Sequence, residues 1–333
     1  MHQNLLMDDG SSSDVSRRVA GCLLGGALGD AQGAPFEGGW LERGLWGVIG
    51  RTRAGEMRFT DDTQMSIDLA ESLLACDGFV ADDVAARFAG SYVWHRGYGP
   101  GAAKLLRKIR AGMPWQRANV AVFRQGSWGN GGAMRAHVAV LFGLADDASG
   151  AAAVELARAQ AGITHGHVRA QDGAALVAAA VIRALDGGGE SIRGADGLDA
   201  VVALAGLREP SEWSSKLDHV QRWLDLPLHL QPGPRSVRAQ LGNGISAVDS
   251  CLTAVYIAAR FVREDFLLML DFIRRLGGDV DTIGAMAGGI WGAARGDLAL
   301  PSEAMARLEG AARLRTIAGG LSARLAGAGP VST

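Results

Sequence analysis

Helical periodicity is the feature that most restricts the folds open to this chain of 333 residues. Apolar residues return at intervals of three and four in one segment after another, which places them on one face of a helix. Alternating Val, Ile and Thr runs bounded by hairpin turns are missing, as is the strand–helix alternation of a parallel sheet. The pattern therefore predicts an all-α fold. The periodic segments are 15–26, 69–74, 81–88, 102–109, 154–160, 172–185, 246–261, 264–276 and 283–294.

The arrangement of these segments indicates one domain. Hydrophobic residues make up 48% of the chain, which is ample for a core, and no linker divides it cleanly. We therefore expect a flexible N-terminal tail at residues 1–14 and a single all-helical domain at residues 15–328. Within that domain, the Gly-rich segment 186–196 is expected to be a surface loop, and the Pro-containing segment 226–235 to be irregular.

The charge balance and the apolar runs exclude several classes of protein. A formal net charge of -2 does not favour a nucleic-acid surface or an anionic-membrane surface. The longest apolar stretch, 174–182, is too short to span a bilayer, and the polar N-terminus has no apolar region of a secretory signal. The cysteines lie far apart in apolar runs, so we expect buried thiols. The expected location is the cytoplasm, and the expected state is a monomer.

The first candidate site is the cluster TDDT at 60–63, ahead of a predicted helix. Thr and Asp are common N-cap residues, so a helix cap is the ordinary interpretation of such a cluster by itself. A cap needs one oxygen acceptor, however, whereas this cluster offers four. Successive residues entering a helix diverge by about 100°, so Asp61 and Asp62 could hold a cation from two sides with the Thr60 hydroxyl between them. Mg²⁺ and Mn²⁺ prefer such oxygen ligands.

A second acidic cluster, GGDVDT at 277–282, also precedes a predicted helix. Asp279 and Asp281 alternate, so their carboxylates face the same way in an extended segment. A cap is again the alternative, with the glycines ending the preceding helix. Helix N-termini repel cations, so two gatherings of carboxylates there are better explained if divalent ions are bound. The two clusters together predict a two-metal hydrolytic site.

Two glycine-rich loops could bind a phosphorylated ligand. In GSWGNGGAMR at 126–135, bare N–H groups suit phosphate, Trp128 offers a face for a purine, and Arg135 could pair with phosphate or support the fold. RGYGPG at 96–101 is a loop of the same kind. An ordinary loop with one exposed aromatic residue is an equal alternative. The glycine run 25–33 lacks the Lys and Ser/Thr of a P-loop and is better explained by close helix crossing.

Other polar and aromatic residues have less specific explanations. His165 and His167 supply only two nitrogens, so a ligand contact or a plain loop is favoured over zinc. Glu37 by itself is a surface carboxylate. Four aromatic residues are expected in the core, namely Trp94, Phe123, Phe142 and Trp291.

Seven motifs follow one another along the chain. They are GCLLGGALGDAQGAPFE at 21–37, FTDDTQMS at 59–66, RGYGPG at 96–101, GSWGNGGAMR at 126–135, ITHGH at 163–167, LGNGISAVDSCLTAVY at 241–256 and GGDVDTIGAMAGGIWGA at 277–293. In this order they resemble the ADP-ribosylglycohydrolase family, also called ADP-ribosyl-acceptor hydrolases. Each motif alone is weak, whereas the ordered set is highly specific and covers most of the chain.

The resemblance implies a compact orthogonal multi-helix domain that holds two Mg²⁺ or Mn²⁺ ions. It implies metal ligation by Thr60, Asp61, Asp62, Asp279, Asp281 and Thr282. It implies substrate contacts from Asp61, Gln125, Gly126, Ser127, Trp128, Gly129, Asn130, Gly131, His165 and Ile245. The catalytic residues that it implies are Asp279, which would activate water, Asp62, and Glu37 as a mobile acidic residue at the entrance.

The two loop motifs look most like the branch of the family that removes ADP-ribose from serine and that accepts poly(ADP-ribose) and O-acetyl-ADP-ribose. The expected partners are therefore ADP-ribose and ADP-ribosylated proteins or small-molecule acceptors. Trp128 stands where familiar members of that branch carry Tyr, which leaves the acceptor open. The alternatives are hydrolysis of ADP-ribosyl-arginine, binding of ADP-ribose without catalysis, and a two-metal phosphoesterase that would release AMP.

Overall fold

The computed structural model describes residues 9–327. Within that range the chain forms seventeen α-helices and no sheet, which confirms the all-α fold. The helices are α1 (Asp9–Gly33), α2 (Trp40–Ile49), α3 (Asp61–Cys76), α4 (Ala81–Ser91), α5 (Pro100–Arg110), α6 (Trp115–Val122), α7 (Ala136–Gly143), α8 (Ala151–Gly162), α9 (Val168–Gly187), α10 (Gly194–Ala205), α11 (Ser214–Leu224), α12 (Pro234–Leu241), α13 (Ala247–Phe261), α14 (Phe266–Leu276), α15 (Val280–Arg295), α16 (Ser302–Met305) and α17 (Ala311–Gly327). Short 3₁₀ turns, among them Ala34–Phe36, Trp94–Arg96 and Asn130–Gly132, connect several of them.

The helices enclose one buried apolar cluster that extends from Val19 to Leu321. Helices α9, α13 and α15 lie at its centre and are buried on nearly every side. A helix that is apolar all round needs such surroundings, because exposing it to water would forfeit the hydrophobic stabilisation. Within residues 9–327, no helix combines the length and the apolar character that crossing a membrane requires.

Helices α1 and α15 cross with their backbones in contact along a line of glycines, here called the glycine seam. The facing pairs are Gly21 with Gly292, Gly25 with Gly288, and Gly29 with Gly284, so the helices run antiparallel. A Cβ on any of the six would lie 2.0–2.7 Å from an opposing carbonyl oxygen, which no larger residue could tolerate without displacement. The close crossing expected of the glycine run is thus confirmed. The seam places the C-terminal end of α1 beside the N-terminal end of α15.

The N-terminal boundary differs from the expected one. Helix α1 begins at Asp9, so residues 9–14 of the expected tail are helical, while residues 1–8 lie outside the described residues. One turn apart, Asp14 and Arg18 form an ion pair of 2.8 Å that supports this first part of the helix. Residue 328, the expected end of the domain, also lies outside the described range.

Three smaller expectations are wrong. The segment 186–196 is no surface loop, because it ends α9, forms a 3₁₀ turn with buried residues and begins α10. Trp94 is 70% exposed, since it lies in a surface 3₁₀ turn rather than on an inward helix face. Cys76 is exposed because it ends α3, whereas Cys22 and Cys251 are buried as expected.

Candidate active site

Three helix ends converge beside the glycine seam. Helix α1 brings Asp30, α3 brings the cluster 60–63 at its start, and α15 brings the cluster 279–282 at its start. A Cβ on Gly33 would lie only 2.6 Å from the Cα of Asp281, so the backbones of α1 and α15 touch here as well. The two acidic clusters, which are far apart in the sequence, therefore face each other in the structure.

Asp30 caps the start of α3 from outside that helix. It is fully buried and accepts hydrogen bonds from the Thr60 N–H at 3.0 Å, from the Thr63 N–H at 3.1 Å and from the Thr63 hydroxyl at 2.5 Å. The Thr60 side chain accepts from the Asp62 N–H at 3.3 Å. The helix-cap interpretation is thus correct for Thr60, and because Asp30 shares the capping role, the Asp61 and Asp62 carboxylates are left for other contacts.

The carboxylates form two groups that share one member. Oxygens of Asp30, Asp62 and Asp281 all lie within 4.8 Å of one another, and so do oxygens of Glu37, Asp279 and Asp281. Asp281 belongs to both groups, so it could offer an oxygen to a cation held by either one. Asp61 lies outside both groups and is partly exposed, and Glu37 is partly exposed at the edge.

Burial and mutual repulsion act on these carboxylates in the same direction. Burial, followed by the charges of neighbouring carboxylates, raises the pKa of Asp61, Asp62 and Asp281 well above the usual value. Burial likewise raises the pKa of Asp30 and Asp279, although hydrogen bonds to both oppose that shift. The neighbouring charges that raise these three pKa values are carboxylates, and the buried guanidinium of Arg135, which interacts with the charges of Asp61 and Asp62, belongs to neither carboxylate group.

The donor set fits divalent cations that prefer oxygen. The Oδ2 atom of Asp62 is buried and has no hydrogen-bond partner within the described chain, a costly arrangement for a carboxylate unless a cation binds it. Its Oδ1 accepts a long hydrogen bond of 3.4 Å from the Thr282 hydroxyl. All the members of the two groups are carboxylates, and hard ions such as Mg²⁺ and Mn²⁺ prefer oxygen donors over nitrogen or sulfur.

Asn130 connects the acidic clusters to the glycine-rich loop. Its side-chain amide donates to Asp279 Oδ2 at 2.6 Å and to Ser250 Oγ at 2.9 Å, and Asn130 is buried. Asp279 occupies the N-cap position of α15, yet its side chain makes no capping hydrogen bond to that helix. Its carboxylate is therefore turned toward the loop, and the cap interpretation of Asp279 is wrong.

The loop 126–131 is held by backbone contacts to the segment 245–247. Asn130 N–H donates to the Ile245 carbonyl at 3.0 Å, and the Ala247 N–H donates to the Trp128 carbonyl at 2.9 Å. Gly129 N–H donates to Ser127 Oγ at 3.3 Å. The loop N–H groups are expected to bind phosphate, but two of them already donate hydrogen bonds within the protein. The N–H of Asn130 bonds to a distant segment, and the N–H of Gly129 bonds to a serine of the same loop.

Trp128 and Ile245 form an exposed apolar edge on this loop, being 47% and 73% exposed. The ring centroids of Trp128 and His167 lie 4.9 Å apart. The guanidinium carbon of Arg169 lies 5.0 Å from the ring centroid of Trp128. These contacts leave about half of the indole available to another ring. Gln125 is exposed beside the start of the loop.

Arg135 supports the loop from the buried interior. It is fully buried and donates to the Gly131 carbonyl at 2.5 Å and to Gln160 Oε1 at 2.6 Å. His165 packs against the loop, since a Cβ on Gly131 would lie 2.6 Å from its Cε1. His167 instead caps α9 by accepting from the Arg169 N–H at 3.2 Å. The structure therefore packs His165 against the loop, whereas the side chain of Arg135 is buried in the interior.

The loop 96–101 lies against Asp61. A Cβ on Gly97, whose φ of +83° favours glycine, would lie 3.6 Å from Asp61 Oδ1. Arg96 anchors the loop through two hydrogen bonds to Glu309, at 2.6 and 2.9 Å, and one to the Phe59 carbonyl at 2.7 Å. Both glycine-rich loops thus border the acidic clusters, one at Asp61 and the other at Asp279.

Comparisons with known proteins identify relatives along nearly the whole chain. The ADP-ribosylglycohydrolase family model matches residues 11–330. The mouse (Mus musculus) protein ADP-ribosylhydrolase ARH3 is 32% identical, over 88% of this chain and 88% of its own length. The human (Homo sapiens) protein of the same name is 31% identical, over 90% of this chain and 91% of its own length.

Two further matches extend the comparison. The uncharacterized protein YegU of Escherichia coli (strain K12) is 30% identical, over 88% of this chain and 92% of its own length. A solved structure described as an ADP-ribosylglycohydrolase-related protein complex has a TM-score of 0.62 and 26% identity, and the alignment covers 94% of this chain and 99% of that one. The fold, the motifs and these matches agree, and the chain belongs to the ADP-ribosylglycohydrolase family.

Proposed function

We propose that this protein is a metal-dependent hydrolase that removes ADP-ribose from modified acceptors through an O-glycosidic, serine-type bond. One observation carries the proposal: two carboxylate groups share Asp281, and Asn130 joins them to the glycine-rich loop. The printed names of the mouse and human relatives support the reaction. The resemblance of the two loop motifs to the serine branch supports the linkage, with poly(ADP-ribose) and O-acetyl-ADP-ribose as further candidate substrates.

The proposed cofactors are two Mg²⁺ or Mn²⁺ ions. Their proposed ligands are Thr60, Asp61, Asp62, Asp279, Asp281 and Thr282. Asp30 lies in the first carboxylate group, but its oxygens already accept hydrogen bonds from the start of α3. We therefore give Asp30 the task of holding α3 against α1. When bound, the ions would supply Lewis-acid chemistry at oxygens of the distal ribose and would balance the carboxylate charge.

Asp279 is the proposed general base. The Asn130 amide donates to Oδ2 of Asp279, which fixes the carboxylate and leaves Oδ1 to accept a proton from an attacking water. Burial raises the pKa of Asp279 in the metal-free protein, whereas its hydrogen bonds oppose that shift and a bound cation would favour the ionised form that a base needs. The same hydrogen bond ties the orientation of the base to the loop proposed to bind the substrate.

The other carboxylates would stabilise the reacting sugar. Glycoside cleavage develops positive charge at the anomeric carbon, and the negative side chains of Asp62 and Asp281 would lie close to it. Glu37 is partly exposed at the edge of the second carboxylate group. From there it could admit the acceptor and protonate the leaving oxygen.

The remaining predicted residues would bind the ADP-ribose. Trp128 offers its exposed indole to the adenine, and Ile245 extends the same apolar edge. Asp61, Gln125, Gly126, Ser127, Gly129, Asn130, Gly131 and His165 complete the proposed set. We place this activity in one domain, 15–328, acting as a cytoplasmic monomer, and size-exclusion chromatography with light scattering would check the oligomeric state.

Mass spectrometry of reaction products tests the proposal. The full-length protein is incubated with serine-linked and with arginine-linked ADP-ribosyl peptides, with Mg²⁺ or with EDTA, and Asp279→Asn serves as the matched inactive variant. We expect intact ADP-ribose and an unmodified serine peptide, only with the metal and only from the wild type. Release from the arginine peptide alone would favour the N-glycosidic alternative. AMP as the product would favour a phosphoesterase, and binding without turnover a non-catalytic reader.

A further inference from the structure

A continuous chain of hydrogen bonds leads from buried Arg135 to the imidazole of His165. Arg135 donates to Thr164 Oγ1 at 2.8 Å, and Thr164 Oγ1 lies 2.8 Å from Nδ1 of His165. Arg135 and Thr164 are 0% and 3% exposed, so water does not compete for these contacts. Burial lowers the pKa of Arg135 to about 9, which still leaves the guanidinium protonated at neutral pH.

The direction of each hydrogen bond follows from the donors that the groups carry. A guanidinium has donors only, so Thr164 Oγ1 must accept from Arg135. The hydroxyl keeps one hydrogen to donate, and within residues 9–327 the His165 nitrogen is the acceptor within hydrogen-bond distance of it. Donation to Nδ1 is the arrangement that engages this hydrogen; it leaves a lone pair on Nδ1 and, in the neutral ring, the proton on Nε2.

The ring of His165 is neutral under ordinary conditions. Burial, followed by the positive charge of Arg135, lowers its pKa to about 3. An imidazole that does not gain a second proton near neutral pH has one donor and one acceptor, so the tautomer decides which of them faces the loop.

The Nε2 edge of His165 faces the loop 126–131. A Cβ on Gly129 would lie 3.1 Å from Nε2, and a Cβ on Gly131 would lie 3.0 Å from it. Ser127 Oγ lies on the same side, 3.4 Å from the position that a Cβ on Gly129 would take. The imidazole thus fills the room left by the absent side chains of the two glycines, and its Nε2 lies against the loop close to the Ser127 hydroxyl.

We propose that Arg135 and Thr164 form a relay that fixes the proton of His165 on Nε2, so that the ring presents an N–H donor to an anionic group, a diphosphate, at the loop 126–131. The identity of the anion as the diphosphate of ADP-ribose rests on the proposed function. The donor is needed there because the Gly129 and Asn130 N–H groups are engaged within the protein. Arg135 and Thr164 are positioning residues, whereas His165 contacts the ligand.

Nitrogen NMR on the ¹⁵N-histidine-labelled full-length protein reads the relay directly. The resonances of His165 are assigned as those lost in His165→Asn. We expect a protonated Nε2 and an unprotonated Nδ1 whose shift shows an accepted hydrogen bond. Thr164→Val should return Nδ1 to the shift of an unbonded nitrogen, and Thr164→Ser, which keeps the hydroxyl, should retain the wild-type shift. A proton on Nδ1 in the wild type would overturn the relay.

Calorimetric titration with ADP-ribose in the presence of Mg²⁺ tests its consequence. Thr164→Val should bind about three- to tenfold more weakly, the loss typical of one hydrogen bond, while Thr164→Ser stays within about twofold of the wild type. Equal binding by all three proteins, with circular dichroism showing that each is folded, would refute the role in anion binding. Absence of ADP-ribose binding by the wild type would instead refute the proposed function, and the NMR shifts would still decide the relay.

Discussion

Replacing Gly288 in the glycine seam with alanine should weaken both the fold and metal binding. The new Cβ would lie 2.3 Å from the Gly25 carbonyl oxygen, whereas ordinary van der Waals contact begins at 3.4 Å. The neighbour is backbone and cannot rotate away, so α1 and α15 must separate by about 1 Å. Overpacking of this kind costs up to about 3 kcal/mol.

The net effect is smaller, because alanine favours a helix over glycine by about 1 kcal/mol. We therefore expect Gly288→Ala to lower the free energy of unfolding by about 2 kcal/mol. With an unfolding entropy of about 2.1 cal/mol/K per residue, this corresponds to about 3 °C in Tm. Gly289→Ala is the matched control, since its Cβ would meet Cys22 O at an ordinary 3.6 Å. Its Tm should stay unchanged or rise.

The separation of α1 from α15 should also change the distances between the acidic residues, since α1 carries Asp30 and α15 carries Asp281. Metal sites tolerate deviations of about 0.2 Å in ligand distance, so Mn²⁺ affinity should fall about tenfold or more in Gly288→Ala. Differential scanning calorimetry and titration with Mn²⁺ measure the two effects. A Gly288→Ala protein that melts and binds Mn²⁺ like Gly289→Ala would show that the seam does not set the spacing of the site.

Three further predictions concern the site itself. Asp279→Asn should abolish turnover of ADP-ribosyl peptides but retain ADP-ribose binding by calorimetry, because the new amide oxygen can still accept from Asn130; residual wild-type turnover would exclude Asp279 as the base. The pKa values of Asp62 and Asp281 are raised in the folded, metal-free protein. Protonation of these two carboxyl groups therefore stabilises the metal-free fold fully below their pKa in the unfolded chain, and this stabilisation is lost as pH rises through their pKa in the folded protein. The rise in Tm that saturating Mg²⁺ gives over EDTA should therefore grow as pH rises above about 4, the usual pKa of an aspartate, and an equally steep growth in Asp62→Asn with Asp281→Asn would contradict this origin. Trp128→Ala should raise KM for the ADP-ribosyl peptide about tenfold with little change in kcat, as expected for a lost stacking surface. Trp128→Tyr should return KM to the wild-type value. A fall in kcat alone would argue against stacking.

The sequence predicts the helices and the two acidic clusters because both depend on neighbouring residues. Helical periodicity is visible within one segment, and the two aspartates of each cluster, at 60–63 and at 279–282, lie within two residues of each other in the chain. The glycines of α1 also give a correct expectation of close crossing. Their partners in α15 could not be assigned from spacing alone, since many helices of this chain are rich in Gly and Ala.

Contacts between distant segments account for what the sequence could not give. Asp30 lies in α1, and its role appears only when Thr60 and Thr63 are placed against it. The sequence allows Arg135 either to pair with phosphate or to support the fold, and its hydrogen bonds in the buried interior favour the structural role. The engaged N–H of Asn130 likewise depends on pairing with Ile245, more than a hundred residues away in the chain.

The glycine seam also has a consequence for how the chain folds. Asp30 and Asp281 are separated by about 250 residues, and the helices that carry them meet along the seam and at Gly33. During synthesis, the glycine face of α1 therefore stays uncovered until nearly the whole chain has been made. Long-range contacts of this kind slow folding, because the loop must close before the contact is gained. A truncated chain that ends before α15 should accordingly neither cover α1 nor gain stability from Mg²⁺.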